Sequence, residues 1–188
     1  MRAPVFAPAT ALAAALMVAP AAGAGARPPA PFSTPAEQCI KPAAAYHQVN
    51  PYLLRAILRV ESGLRPNAVM RNSNGTVDIG ISQINSIHFR ELGRYGIAPA
   101  HLQDACVGTY VGAWHLARVI ARHGNTWEGI ARYHSATPKF NRRYQALLWN
   151  ELVRSSVVQG NPVPLAAQPR SVPKTAPNSG PLVLFEHP

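Results

Sequence analysis

Acids are scarce in this 188-residue chain: eight Asp and Glu stand against eighteen Lys and Arg, for a formal net charge of +10. Such a balance points to a polyanionic partner. The basic residues are scattered, however, with no basic helix and no recognised nucleic-acid motif. That argues against nucleic acid as the expected partner, and an anionic cell wall is the better target if the chain is exported; charge alone does not decide it. The seven histidines lack compact ligand spacing such as His-Glu-x-x-His, so no metal site is expected. Nothing calls for a cofactor, and there is no internal repeat.

Long apolar runs are also missing, apart from one at the start. Met1-Arg2 is followed by "VFAPATALAAALMVAPAA", broken by Pro8 and Pro20, and Ala24-Gly25-Ala26 fits a small-residue cleavage pattern. Residues 1–26 therefore read as a signal peptide; a retained membrane anchor is the rival reading. No Cys follows that run closely, which argues against lipid anchoring. Export implies a periplasmic or secreted protein with no stable membrane insertion after cleavage. In an oxidising compartment Cys39 and Cys106, the only two cysteines, are expected to be joined, with two separate buried thiols as the alternative. Residues 27–35 read as a linker. From 155 to 188 prolines recur without helical or strand period, which predicts a Pro-rich disordered or extended tail. A compact domain of 36–154 remains.

Helix punctuation is plentiful within it. Asn50-Pro51 caps a helix that Gly63 stops, and Leu54, Ile57, Leu58 and Glu61 share its apolar stripe. Asn74-Gly75 marks a hairpin between short strands, with Asp78 just past it. A helix is predicted from Ser86 to Gly93. A long one follows from the Asp104 cap to Gly124, with Val107, Tyr110, Val111, Trp114, Ala117 and Ala121 as its apolar side. Thr126 caps a short helix, and Thr137-Pro138 opens the last. The fold class is mainly α, with at most one small hairpin. Trp114, Trp127 and Trp149 fall at helical core positions.

Glu61 is the anomaly. A carboxyl on a core-facing stripe in a final helical turn is disfavoured as an anion by desolvation and by the helix dipole, so it is suited to donate a proton. The alternative is a Glu61 paired with Arg59 or Arg65. From the helix alone both readings stand.

The ordered set "ESGLRPNAV", "DIGISQIN" and "ARYHSATP", with two flanking cysteines, resembles the goose-type-lysozyme-like lytic transglycosylases. It is most similar to the small exported muramidases associated with secretion, pili and conjugation. The resemblance covers about Cys39 to Trp149 and implies an α+β lysozyme-like domain with a hairpin flanking the cleft. It implies that Glu61 is the catalytic acid, that Ser62 is its polar neighbour, that Gln83 and Asn85 line the sugar cleft, and that Tyr133 is held over the glutamate. His134 stands where the broad family has Asn, and it joins the substrate-lining candidates; a structural hydrogen bond is its plainer role. Ser82 replaces the usual Met or Trp. The implied reaction cleaves peptidoglycan glycan strands with formation of anhydro ends, in the service of a secretion or conjugation apparatus. The stretch "NSNGTVDIGISQINS" also resembles the segment of animal c-type lysozymes that carries their second carboxylate, which keeps Asp78 open as an auxiliary and hydrolysis as an alternative. A non-catalytic peptidoglycan-binding subunit is the answer of another class.

Overall fold

A computed structural model describes residues 28–165. The expected signal peptide, 1–26, lies outside the described residues, as does most of the expected tail, from 166 onward. The chain is mainly helical with one small antiparallel sheet. Its helices are α1 (Ile40–Tyr46), α2 (Pro51–Ser62), α3 (Phe89–Gly93), α4 (Ala105–His123), α5 (Trp127–Ala131) and α6 (Pro138–Arg154). Strands β1 (Val69–Arg71), β2 (Val77–Ile79) and β3 (Ile84–Asn85) lie between α2 and α3. Short 3₁₀ turns occupy Pro35–Glu37, Ser86–His88 and Pro99–Gln103.

The boundaries follow from local chemistry. The Asn50 side chain accepts hydrogen bonds from the amides of Tyr52 and Leu53, satisfying donors that the first turn leaves orphaned. Asp104 caps α4 through the amides of Cys106 and Val107, and Thr126 caps α5 through that of Gly129. Gly63 ends α2 in the left-handed region at φ 65°, where a side chain would be strained. The helix predicted from Ser86 to Gly93 is a 3₁₀ turn running into α3.

α2 is the central element, packed against α1, α4 and α6. Leu54, Ile57 and Leu58 are fully buried beside Ile40 and Ala43 of α1, Leu116 of α4 and Leu148 of α6. Each such side chain contributes roughly 2 kcal/mol through removal from water. A second cluster of Ile84, Leu92, Leu102 and Val111 seats the sheet on α4. A disulfide joins Cys39, at the start of α1, to Cys106 in the first turn of α4, with the Cα atoms 5.2 Å apart.

Three expectations need correction. The sheet has a third strand, because β3 pairs with β2 in register Asp78↔Asn85 and Ile79↔Ile84. On α4 the buried face is Gly108, Thr109, Val111, Gly112, Ala113, Leu116 and Val119; Trp114 and Tyr110 are only partly covered. Small residues are needed there because a Cβ on Gly112 would meet Ser82 Oγ at 2.4 Å, so the chain around Ser82 can approach the helix only over glycine. Of the tryptophans, Trp127 is 42% exposed and lies edge-on to Trp149, so it is no core residue.

Both flanking segments touch the body. Ala30 O accepts from Arg55 Nη1 at 2.6 Å, and the Phe32 ring lies under the Arg55 guanidinium and beside Tyr52. Past α6, Val157 and Val158 pack on the core, and the Asn150 side chain holds both the amide and the carbonyl of Val163. Among the described residues, no helix is long and apolar enough to cross a membrane.

Candidate active site

Glu61 ends the buried stripe of α2 with its side chain only 10% exposed. Neither arginine named as a partner meets it. Arg59 pairs with Glu37 at 3.0 Å and with Glu151 at 3.7 Å, while Arg65 Nε donates to Ser62 O at 2.8 Å. The contact Glu61 does make is with α6: the Tyr144 hydroxyl donates to Oε1 at 2.6 Å. Burial pushes the Glu61 carboxyl up to about 7, against the Tyr144 hydrogen bond and with help from the nearby charge of Asp78. A substantial fraction is therefore protonated at neutral pH, the state a general acid requires.

Tyr133 was expected over the glutamate; the residue that bonds it is Tyr144. The Tyr133 hydroxyl donates instead to Ser82 O at 3.0 Å, fixing the loop between β2 and β3. Both phenols are buried, which raises them well above 10, and both stay protonated donors. Tyr144 was missed by sequence reasoning. The available signal was its place on the inner stripe of α6 with Leu148 and Leu152, where a tyrosine must find a partner for its hydroxyl.

Asp78 faces the same site from the sheet. The hairpin after β1 is closed by Asn72, whose amide donates to Thr76 O, and by Gly75 at φ 84°. It is a wider turn than a two-residue Asn-Gly connection. Asp78 Oδ1 accepts from Asn85 Nδ2 at 2.7 Å and Oδ2 from Asn72 Nδ2 at 2.8 Å. Each amide also reaches Thr76 Oγ1 at 3.0 Å, so the carboxylate is clamped from both sides. Asn85 reaches it because the two residues stand directly opposite in the β2–β3 register, which puts their side chains on one face. Asn72 is a further residue the sequence reading passed over.

The other candidates divide. His134 stacks face to face on Tyr144, with centroids 4.9 Å apart and an interplanar angle of 4°, and its Nδ1 lies 3.9 Å from Glu61 Oε1. Burial lowers its pKa, with Asp78 opposing, which leaves the ring neutral at pH 7. Ser62 is buried and ties the end of α2 to the loop through Ile81 O at 2.8 Å. It thereby anchors the last turn of α2, next to Glu61 in the chain. Gln83 sits at φ 48°, a strained conformation for a residue with a side chain, and its amide donates to Gly80 O and Ala68 O. Asn85 caps the following turn through Ile87 N besides holding Asp78. The Gln83 NH2 group and both polar atoms of Asn85 are thus engaged with neighbouring protein groups. Ser82 is fully buried and donates to Gly108 O, so position 82 packs on α4 and offers no surface to a sugar. Among the described residues, no group of three or more His, Cys, Asp or Glu is arranged to hold a metal ion.

Two carboxyl groups of opposite character thus share one site, a buried acid on a helix and a hydrogen-bonded carboxylate on a sheet. Residues 38–146 match the family described as Transglycosylase SLT domain. The chain is 40% identical over 114 residues to the X polypeptide of Escherichia coli, covering 60% of this chain and 68% of that one. It is 37% identical over 102 residues to the invasion protein IagB of Salmonella typhimurium, covering 52% and 64%. With protein IpgF of Shigella flexneri the identity is 32% over 100 residues, covering 53% and 66%.

Proposed function

Because the chain belongs to the transglycosylase SLT family, we propose that it cleaves the β-1,4 bond between MurNAc and GlcNAc in peptidoglycan and leaves 1,6-anhydro-MurNAc ends. The observation that carries this reading is Glu61, buried, with its pKa raised to about 7 and its Oε1 held by Tyr144. In the first half of the reaction Glu61 gives its proton to the glycosidic oxygen as the bond to C1 breaks. The oxocarbenium-like centre is stabilised by the substrate's N-acetyl oxygen and by the negative charge of Asp78. In the second half the Glu61 carboxylate takes the proton of the muramyl 6-hydroxyl as that oxygen closes on C1. No water is consumed and Glu61 ends as it began, so a single proton-transferring residue suffices.

The clamped Asp78 favours one second reading. A carboxylate held by two amides opposite a protonated acid is the pairing that hydrolytic glycosidases use. Hydrolysis would add water and leave reducing ends. Mass spectrometry of sacculi digested by the full chain distinguishes the two, since the products differ by one water. Anhydro ends support transglycosylation, predominantly reducing ends overturn it, and no cleavage at all favours a peptidoglycan-binding subunit.

The compartment follows from the same reading. Glycan strands lie outside the cytoplasm, where the Cys39–Cys106 bridge is stable. The net positive charge suits an anionic wall. One relative is named an invasion protein, which supports local opening of the wall for a secretion, pilus or conjugation apparatus.

A further inference from the structure

Tyr144 is 1% exposed, and His134 lies parallel on its ring with its own side chain 49% exposed. The imidazole therefore stands between solvent and the Tyr144–Glu61 pair. It is too far from Glu61 Oε1, at 3.9 Å, for a direct hydrogen bond. Its outer face stays open. A half-exposed ring that makes no bond to the acid, yet covers the tyrosine that does, acts by excluding water.

We propose that His134 is a positioning residue that caps the Glu61–Tyr144 hydrogen bond, keeping water from the acid so that Glu61 holds its proton until a glycan strand arrives. This deepens the function proposed above and rests on it for the word acid, but the cap itself is a property of the free protein. Among the described residues, Glu61 from α2, Asp78 from β2 and Tyr144 from α6 face His134. The ring is neutral near pH 7, so its effect on Glu61 there comes from coverage and not from charge. Coverage and charge have opposite consequences. Uncovering Glu61 lets water stabilise its anion, and its pKa falls. Removing an imidazolium would deprive that anion of a favourable neighbour, and its pKa would rise.

Titration of the full-length chain with ¹³C-labelled glutamate, followed by NMR at the Glu61 carboxyl, reads the difference without any substrate. His134→Ala is expected to lower the Glu61 pKa by about one unit, and His134→Phe, which keeps the stacked cover, to leave it at or above the wild-type value. Tyr144→Phe removes a donor to the anion and is expected to move it upward, opposite to His134→Ala. His134→Ser uncovers the site in the same way and serves if the alanine variant does not fold. Wall-degrading activity measured across pH should show the alkaline limb moving down in His134→Ala and restored in His134→Phe. An unchanged or raised Glu61 pKa in the uncovered variants overturns the cap. If the wild type fails to degrade sacculi, the proposed function falls, while the titration still judges the cap.

Discussion

Replacing Glu61 by glutamine should make the protein inactive and, above pH 5, more stable. The buried carboxyl has its pKa raised from 4.5 to about 7. Between those values the folded chain holds a proton that the unfolded chain releases, so wild-type stability declines as pH rises through that window. The loss reaches about 3 kcal/mol once pH passes 7, at 1.36 kcal/mol for each unit between the folded and unfolded values. Below about pH 4.5 both forms of Glu61 are protonated and the loss vanishes. Glutamine keeps the volume and can accept from Tyr144 through its carbonyl, but it cannot ionise. Its amide protons face a site built for a hydroxyl, which costs about 1 kcal/mol at every pH.

The difference in unfolding free energy between Glu61→Gln and wild type should therefore start near or slightly below zero at pH 4. It should climb by about 3 kcal/mol to a plateau above pH 7. Denaturant unfolding of both proteins at matched pH values, with the disulfide intact, measures it. All other titrating groups are common to the pair and cancel. Thermal unfolding should agree, the mutant gaining on the order of 10 °C at pH 8. A flat difference from pH 4 to 8 would show that Glu61 titrates alike folded and unfolded, and the acid role would lose its physical basis. Full wall-degrading activity in the mutant would remove that role outright.

The remaining expectations concern partners of the site. Glu37→Gln should destabilise by about 3 kcal/mol at pH 7, since it takes the carboxylate from the buried Arg55 guanidinium and leaves Arg59 with Glu151 alone. Burial alone would raise the Glu37 pKa, but the Thr34 amide, Arg59, the Thr34 hydroxyl and Arg55 bring it to about 2. Its stabilisation is thus full above pH 4.5 and disappears as pH falls toward 2, which acid titration of the wild type should show. Replacing Cys39 and Cys106 by serine should cost about 4 kcal/mol by the chain-entropy relation, seen as an earlier denaturant midpoint, with the fully folded variant still cleaving sacculi. Asp78→Asn should slow cleavage roughly tenfold, equivalent to 1.4 kcal/mol of transition-state stabilisation. It should also shift the alkaline limb to lower pH, because the Asp78 charge helps to raise Glu61; unchanged anhydro ends would then separate an electrostatic Asp78 from a nucleophilic one.

Much of the helical frame was legible because it is written in local chemistry. Asn50, Asp104 and Thr126 each mark a helix start by accepting from backbone amides two or three residues on, and Pro138 marks one by its place in the first turn of α6. The failures share a different cause. β3 is two residues long and exists because β2 is there to pair with it, so it has no signature of its own. The buried face of α4 was misread because hydropathy rewards Trp114 and Tyr110, whereas close approach by Leu102 and Ile81 selects Gly108 and close approach by Ser82 selects Gly112. Tyr133 and Tyr144 present the same problem at the site. Both are buried tyrosines near one acid, and only the crossing of α2 with α6 decides that Tyr144 makes the hydrogen bond.

Helix geometry also bears on the raised pKa of Glu61. Arg59 lies two residues away on the same helix, a spacing that turns it toward the opposite face of α2. On the far side of α2, buried Glu37 binds both Arg55 and Arg59, and Glu151 of α6 adds a second claim on Arg59. Two carboxylates hold Arg59 on that face, and Glu61 is left with burial and the Tyr144 hydrogen bond. Glu37, packed against α2, and Glu61, at its end, are both buried carboxyls, yet one is lowered to about 2 and the other raised to about 7. Burial acts in the same direction on both; the difference is whether cations and amides are supplied to the anion. Loosening Arg59, which Glu37→Gln leaves with Glu151 alone, should therefore also act at a distance. If the released guanidinium turns toward the cleft, Glu61 will titrate lower and the alkaline limb of cleavage will move down with it. An alkaline limb unchanged in a folded Glu37→Gln protein would show that α2 keeps its two faces electrostatically separate even without that anchor.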